Sequence, residues 1–154
     1  MLKPKFNAII LPAILMAFLQ PAAQAGAMSS EYVCSYDRMV LCAPMSDSEG
    51  NPCEAEHDAF SIVAVAVGTG SMAFQVDDAA GQGYARGTGN MMGFGMHFEY
   101  GQASYALNGD VENPAALVVR MSDGRPVTAE SWAGSCTLQK VDIDMIEKGA
   151  SQAP

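Results

Sequence analysis

Four cysteines constrain this chain more than any other residues. Cys34, Cys42 and Cys53 fall in one short stretch, and Cys136 lies near the other end, in Gly134-Ser135-Cys136. The spacings match no zinc ribbon or finger and no Cys-x-x-Cys pair occurs, so neither a structural zinc site nor a thioredoxin-like redox pair fits. Disulfides fit, in an oxidising compartment. Four cysteines allow three connectivities. The expected one joins Cys42 to Cys53 across a loop rich in turn residues, and Cys34 to Cys136 between the first and last strands. The second pairing assumes that the terminal strands are neighbours. In the chain-entropy account a loop of about 100 residues contributes roughly 4.7 kcal/mol and a short one roughly 3. Either is comparable to the whole stability of a small domain.

The N-terminal residues predict such a compartment. Lys3 and Lys5 precede an apolar run from Ala8 to Leu19, and Ala23-Gln24-Ala25 is a small-x-small cleavage pattern, so residues 1–25 read as a cleaved signal peptide. The run is interrupted by Pro12 and spans about twelve residues, where a membrane-crossing helix needs roughly twenty. Glu31-Tyr32-Val33 before Cys34 is unlike the small-residue box of a lipidated cysteine, and no arginine pair marks the leader. The expectation is a periplasmic or secreted protein with no stable membrane span after cleavage. Residues 26–140 would form a single β-domain, and residues 141–154 a flexible tail with a possible short helix.

Charge narrows the partners. Seventeen acidic residues against eight basic give a formal net charge of −9, which becomes more negative once Lys3 and Lys5 leave with the leader. Nucleic acid and anionic membrane surfaces would repel such a chain. A cationic protein partner is compatible with it, although solubility is the simplest use of the charge.

The hydropathy pattern is that of short strands. Tyr32, Cys34 and Tyr36 alternate with their neighbours, and Phe60 to Val67 is a continuous, β-branched apolar run, as for a strand covered on both faces. Ala64 and Ala66 on one face of it would suit the approach of another element. Met72, Phe74 and Val76 define a half-exposed strand, and Met92, Phe94, Met96, Phe98 and Tyr100 share one face of the next. Gly101-Gln102 suits a II′ hairpin leading to Tyr105 and Leu107; Asp123-Gly124 suits a I′ hairpin between Ala115–Met121 and Val127–Leu138. On the last strand Trp132, Cys136 and Leu138 point one way, with Gly134 leaving space beside the indole. The fold class is therefore all-β: seven or eight short antiparallel strands in a barrel or sandwich, stapled by two disulfides.

The Tyr-x-Cys start at Tyr32, the two further cysteines before the aromatic-led strand at Phe60, and the closing Gly-Ser-Cys136 resemble a group of small secreted, cysteine-bridged proteins of alphaproteobacteria. The likeness covers about residues 30–138. It implies the disulfide-stapled fold and carries no assigned function or functional residue.

Several segments carry side chains that could supply a site. Methionine and histidine in Met91-Met92-Gly93-Phe94-Gly95-Met96-His97 have the donor chemistry for Cu(I). In a strand, however, Met96 and His97 face opposite ways, and Met91 lies roughly 20 Å from His97. Glu54, Glu56, His57 and Asp58, with Asp47 and Glu49, could gather Ca²⁺, but the order lacks EF-hand spacing and reads as a solvated acidic loop with His57 exposed. The Gly-x-Gly pairs at Gly68, Gly81, Gly87 and Gly93 complete no phosphate loop and suit turns and strand bends. No Gly-x-Ser-x-Gly elbow occurs, and the cysteines are committed to disulfides. The expectation is an exported non-catalytic envelope or binding domain with no catalytic residue, no cofactor and no metal. The alternatives are a periplasmic metal-binding protein and an inhibitor of a cationic wall-degrading enzyme. The latter would be similar in architecture to the small β-barrel inhibitors of c-type lysozyme, whose Ser-Gly-x-x-Tyr loop is absent here.

Overall fold

The computed structural model describes residues 28–45, 50–90 and 95–154. The predicted signal peptide, Asp47, Glu49, Met91, Met92 and Phe94 lie outside the described residues. Eight strands form one closed antiparallel barrel, each paired with the next and the last with the first. They are β1 Met28–Pro44, β2 Phe60–Gly68, β3 Ser71–Asp78, β4 Gly81–Thr88, β5 Met96–Tyr100, β6 Ala103–Gly109, β7 Pro114–Ser122 and β8 Arg125–Asp142. A helix, α1 Ile143–Gln152, follows β8 directly. Of the two all-β architectures predicted, the barrel is the one formed.

The strand alternation determines what lies inside. Cys34 and Tyr36 of β1, Phe60 and Ile62 of β2, Phe74 and Val76 of β3, Phe98 of β5, Tyr105 of β6, Val118 of β7 and Trp132 of β8 are buried in a single cluster. Its rings form a connected series. Tyr36 stacks on Phe60 at 5.0 Å, Phe60 meets Trp132 and Tyr105 edge-on at 5.4 and 5.5 Å, and Tyr105 stacks on Phe98 at 4.8 Å. Phe98 in turn stacks on Phe74 at 4.1 Å. Such contacts add about 0.5–1.5 kcal/mol each beyond the area they bury. The barrel is filled by side chains rather than hollow along its length.

The predicted hairpins form where their turn chemistry placed them. Gly101 begins the β5–β6 turn at φ +59°, and Asp123 and Gly124 join β7 to β8 at φ +50° and +72°. A I′ turn needs positive φ at both central residues. The strand β4 had no apolar pattern to announce it. Its Gly83 lies beneath the Tyr100 ring, and Gly87 faces the His97 carbonyl and the Phe74 and Phe98 side chains. These glycines admit close neighbours from within a strand. Gly134 acts likewise: any Cβ there would strike the Ser35 carbonyl, so its role is close approach of β1, not room for the indole.

The ladder between β1 and β8 is the longest, running from Met28↔Asp142 to Pro44↔Thr128 with two register shifts. Both strands extend further than the sequence pattern predicted. As a result Tyr32 and Leu138, which share the inward parity, are exposed past the end of the barrel. Cys34 and Cys136 are directly opposed in this ladder and bonded, and Cys42 is bonded to Cys53.

The possible short helix expected in residues 141–154 forms as α1, and it is packed on the barrel rather than loose. Asp142 caps α1 by accepting a hydrogen bond from the Met145 amide at 3.0 Å, and Ile146 and Ala150 are buried against Val63, Val65 and Ala73 on the outside of the barrel. Gly149 lies against the Tyr84 ring. The helix thus covers the outer valine face of β2, which is why that strand is apolar on both sides; Ala66, on the alanine face, is exposed. Two substitutions test these attachments by urea denaturation. Ile146→Ala should cost about 2–5 kcal/mol, the range for truncating a buried Ile. Cys136→Ser, which opens a bridge between residues 102 apart in sequence, should cost about 2–5 kcal/mol and leave Cys34 open to alkylation.

Candidate functional site

One end of the barrel carries the short β3–β4, β5–β6 and β7–β8 turns and the long β1–β2 connection. That connection is fixed at several points. The Met45 amide donates to the Val127 carbonyl at 2.9 Å, and the Cys42–Cys53 bridge holds a 3-10 turn, Pro52–Glu54, to the end of β1. The Asn51 side chain caps this turn by accepting from the Cys53 amide at 3.1 Å. From the turn the chain returns to β2 at Phe60, carrying His57 over the barrel mouth.

Beneath it lies Glu130, a fully buried carboxylate. It points inward from β8 because it has the same strand parity as Thr128 and Trp132. Thr128 Oγ1 and Trp132 Nε1 each donate to it at 3.0 Å. Arg120 Nε, from β7, lies 3.3 and 3.4 Å from its two oxygens. His57 Nδ1 lies 3.0 Å from Oε1. A charge taken out of water without partners costs several kcal/mol even after relaxation. Here one carboxylate meets four donor side chains, and the Arg120 guanidinium is cationic at any physiological pH. The indole and guanidinium N–H groups can only donate, so Glu130 serves them as an acceptor.

The same contact assigns the histidine tautomer. To donate to Glu130, His57 carries its proton on Nδ1, and Nε2 is then an acceptor in the neutral ring. Nε2 is enclosed and has no partner among the described residues. His57, with its side chain only 11% exposed, is therefore not the exposed loop residue that the sequence suggested. Its acidic neighbours Glu54, Glu56 and Asp58 are exposed, as expected.

A cavity of about 460 Å³ opens beside this network, lined in part by His57, Phe60, Tyr105 and Arg120, with Asp58 and Asp78 contributing carboxylates. Burial pushes the Tyr105 hydroxyl pKa up from its ordinary value; Arg120 pulls it down, while Asp78 and Glu130 push it further up. The other predicted candidates do not join this site. Met96 is buried in the core and His97 is exposed on the opposite face of β5, as the alternation required. Among the described residues, no three or more His, Cys, Asp or Glu side chains come together as a group able to hold a metal ion.

Glu130 and Arg120 were absent from the sequence candidates. The available signal was parity: Glu130 is two residues from Trp132, and Arg120 two from Val118, so each shares a face with a core residue. A double-mutant cycle tests the network. Glu130→Ala should cost about 3–5 kcal/mol, because Arg120 is left without its buried partner, whereas His57→Ala alone should cost about 1–3 kcal/mol. Their coupling in denaturation free energy should be about 0.5–3 kcal/mol, with additivity showing that the two do not interact. Comparison of the chain with protein-family models, with curated proteins and with solved structures gives no match.

Proposed function

We propose that this chain is an exported, non-catalytic binding domain that engages a cationic protein with the loop-covered end of its barrel. The observation that carries the reading is the anchoring of an acid-rich loop to a rigid interior: the Cys42–Cys53 bridge holds one side and the His57–Glu130 contact the other. Glu56 and Asp58 are thereby presented beside Asp78 at the end of β3, on the same cavity. A loop already held in place has less conformational entropy to lose when a partner binds. Opposite charge speeds the encounter and selects against anionic partners.

A binding role is also favoured over catalysis by how the polar groups are used. The Glu130 carboxylate is engaged by four side chains, the Thr128 hydroxyl donates to it, and His57 Nε2 is enclosed. A disulfide-stapled fold suits a periplasmic or secreted setting. Outward Gln75, Asp77, Gln82, Arg86 and Glu99, together with a helix packed on the outer valine face, are unlike the continuous apolar band of a lipid-facing barrel. Inhibition of a cationic wall-degrading enzyme is the specific form this binding would take.

Calorimetric titration with a c-type lysozyme as the cationic probe tests the reading. One-to-one binding is expected, weakening as salt rises from 50 to about 500 mM, and weakening at low salt in Glu56→Gln/Asp58→Asn. Absence of binding to lysozyme and to other cationic secreted hydrolases, or binding indifferent to that double substitution, would overturn it.

A further inference from the structure

The cavity beneath the β1–β2 connection offers more acceptors than the Glu130 network uses. Tyr105 lines it from β6 and is only 2% exposed. None of the network's hydrogen bonds involves the Tyr105 hydroxyl. The enclosed, unpartnered side-chain atoms of the described residues are the Tyr36 hydroxyl and His57 Nε2. The Tyr105 hydroxyl is not one of them, so it opens on the cavity. The nearby charges acting on it include Arg120 and Asp78, which line the same space.

Three carboxylates surround that space: Glu56 and Asp58 from the loop, and Asp78 from the end of β3. None of the three has a cationic partner among the described residues, and the Arg120 guanidinium is already engaged by Glu130. Asp78 accepts the Ala80 amide at 2.9 Å, which leaves its charge uncompensated. Like charges gathered at a mouth repel one another, and a buried hydroxyl without a partner is unfavourable. One donor-rich cation relieves both. An ammonium brings three N–H donors and no acceptor, and a tyrosine oxygen can accept one of them. A guanidinium is a wider planar fork and would have to lie beside Arg120. The cavity, about 460 Å³, has room for a side chain with a methylene stem, and Pro52 and Val127 supply apolar wall for such a stem.

We propose that this cavity receives a lysine side chain of the cationic partner, its ammonium held by the Tyr105 hydroxyl and the Asp58 and Asp78 carboxylates. The assignment rests on the reading of the chain as a binder of a cationic protein and names the group by which that protein is held.

N-acetyl-lysine N-methylamide is the probe, with its norleucine and arginine counterparts as controls. Each is titrated into the oxidised full chain, and shifts of the Ala79 and Ala80 methyls, which line the cavity, locate the site. The lysine probe should bind one-to-one and about 10-fold or more tightly than the norleucine one, the equivalent of a charge-assisted hydrogen bond. It should also bind more tightly than the arginine one. Tyr105→Phe should weaken it about 3- to 10-fold. Because that hydroxyl is unpartnered in the free protein, the variant should melt no lower than the parent. Ala80→Trp, at an exposed turn position, should fill the mouth and remove probe binding. Both variants should weaken lysozyme binding as well. The proposal is overturned if the lysine probe does not bind, if the arginine probe binds as tightly, or if binding is indifferent to Tyr105→Phe or Ala80→Trp. It is equally overturned if Tyr105→Phe melts well below the parent. Lysozyme binding unaltered by Ala80→Trp overturns it while leaving the cationic-partner reading intact. Probe binding without binding of any cationic protein overturns that reading and, with it, a partner's lysine as the occupant.

Discussion

A closed barrel depends on its first and last strands finding each other, and everything inside this one depends on the β1–β8 ladder. A sheet left open would present a row of unpaired backbone groups along each edge. Here β1 pairs with β8 over almost its whole length, and Cys34 and Cys136 face each other within that ladder. Closure encloses the aromatic series from Tyr36 to Phe74. It also places Glu130 opposite Cys42, close to where the β1–β2 connection leaves the barrel. The long ladder continues into α1, whose docking on β2 and β3 adds a second, external cluster to the core within.

The two ends of the barrel solve the problem of an interior mouth in different ways. At one, polar groups enter, and four donors there are directed at a single carboxylate under a loop held by a disulfide. At the other, the lining is apolar, and the buried Tyr36 hydroxyl has no partner among the described residues. In the first, the carboxylate is fully engaged, while His57 Nε2 beside it has no partner among the described residues.

Much of the fold could be read from residue alternation and turn chemistry. The Asp123-Gly124 and Gly101-Gln102 turns and the two-faced strand at Phe60 follow from local rules, whereas the Cys34–Cys136 pairing needed the assumption that the terminal strands are neighbours. Barrel and sandwich could not be separated, because inward alternation is the same in both and only the β1–β8 pairing distinguishes them. The strand β4 stayed hidden because Gly83 and Gly87 replace the apolar residues that would have marked its inner face. Their absent side chains are explained only by Tyr100, Phe74 and Phe98 arriving from other strands. The polar mouth was missed for a related reason. Glu130 shares Trp132's parity, yet a carboxylate at a core position reads as core only once Arg120 and His57 are seen to meet it.

The nested order of the two bridges has a consequence for how the chain reaches this state. Cys34, Cys42 and Cys53 leave a ribosome or a translocation channel well before Cys136, the native partner of Cys34. In strict order of emergence, an oxidant meets Cys34 and Cys42 first, and that pair is absent from the native protein. Its removal requires attack by another thiolate, with Cys53 the nearest in sequence and the natural partner of Cys42. Until β8 is complete, β1 lacks its principal partner and its backbone edge stays open to other chains. A disulfide isomerase and a shield against strand addition are therefore the assistance this topology calls for, and both needs end when Cys136 arrives.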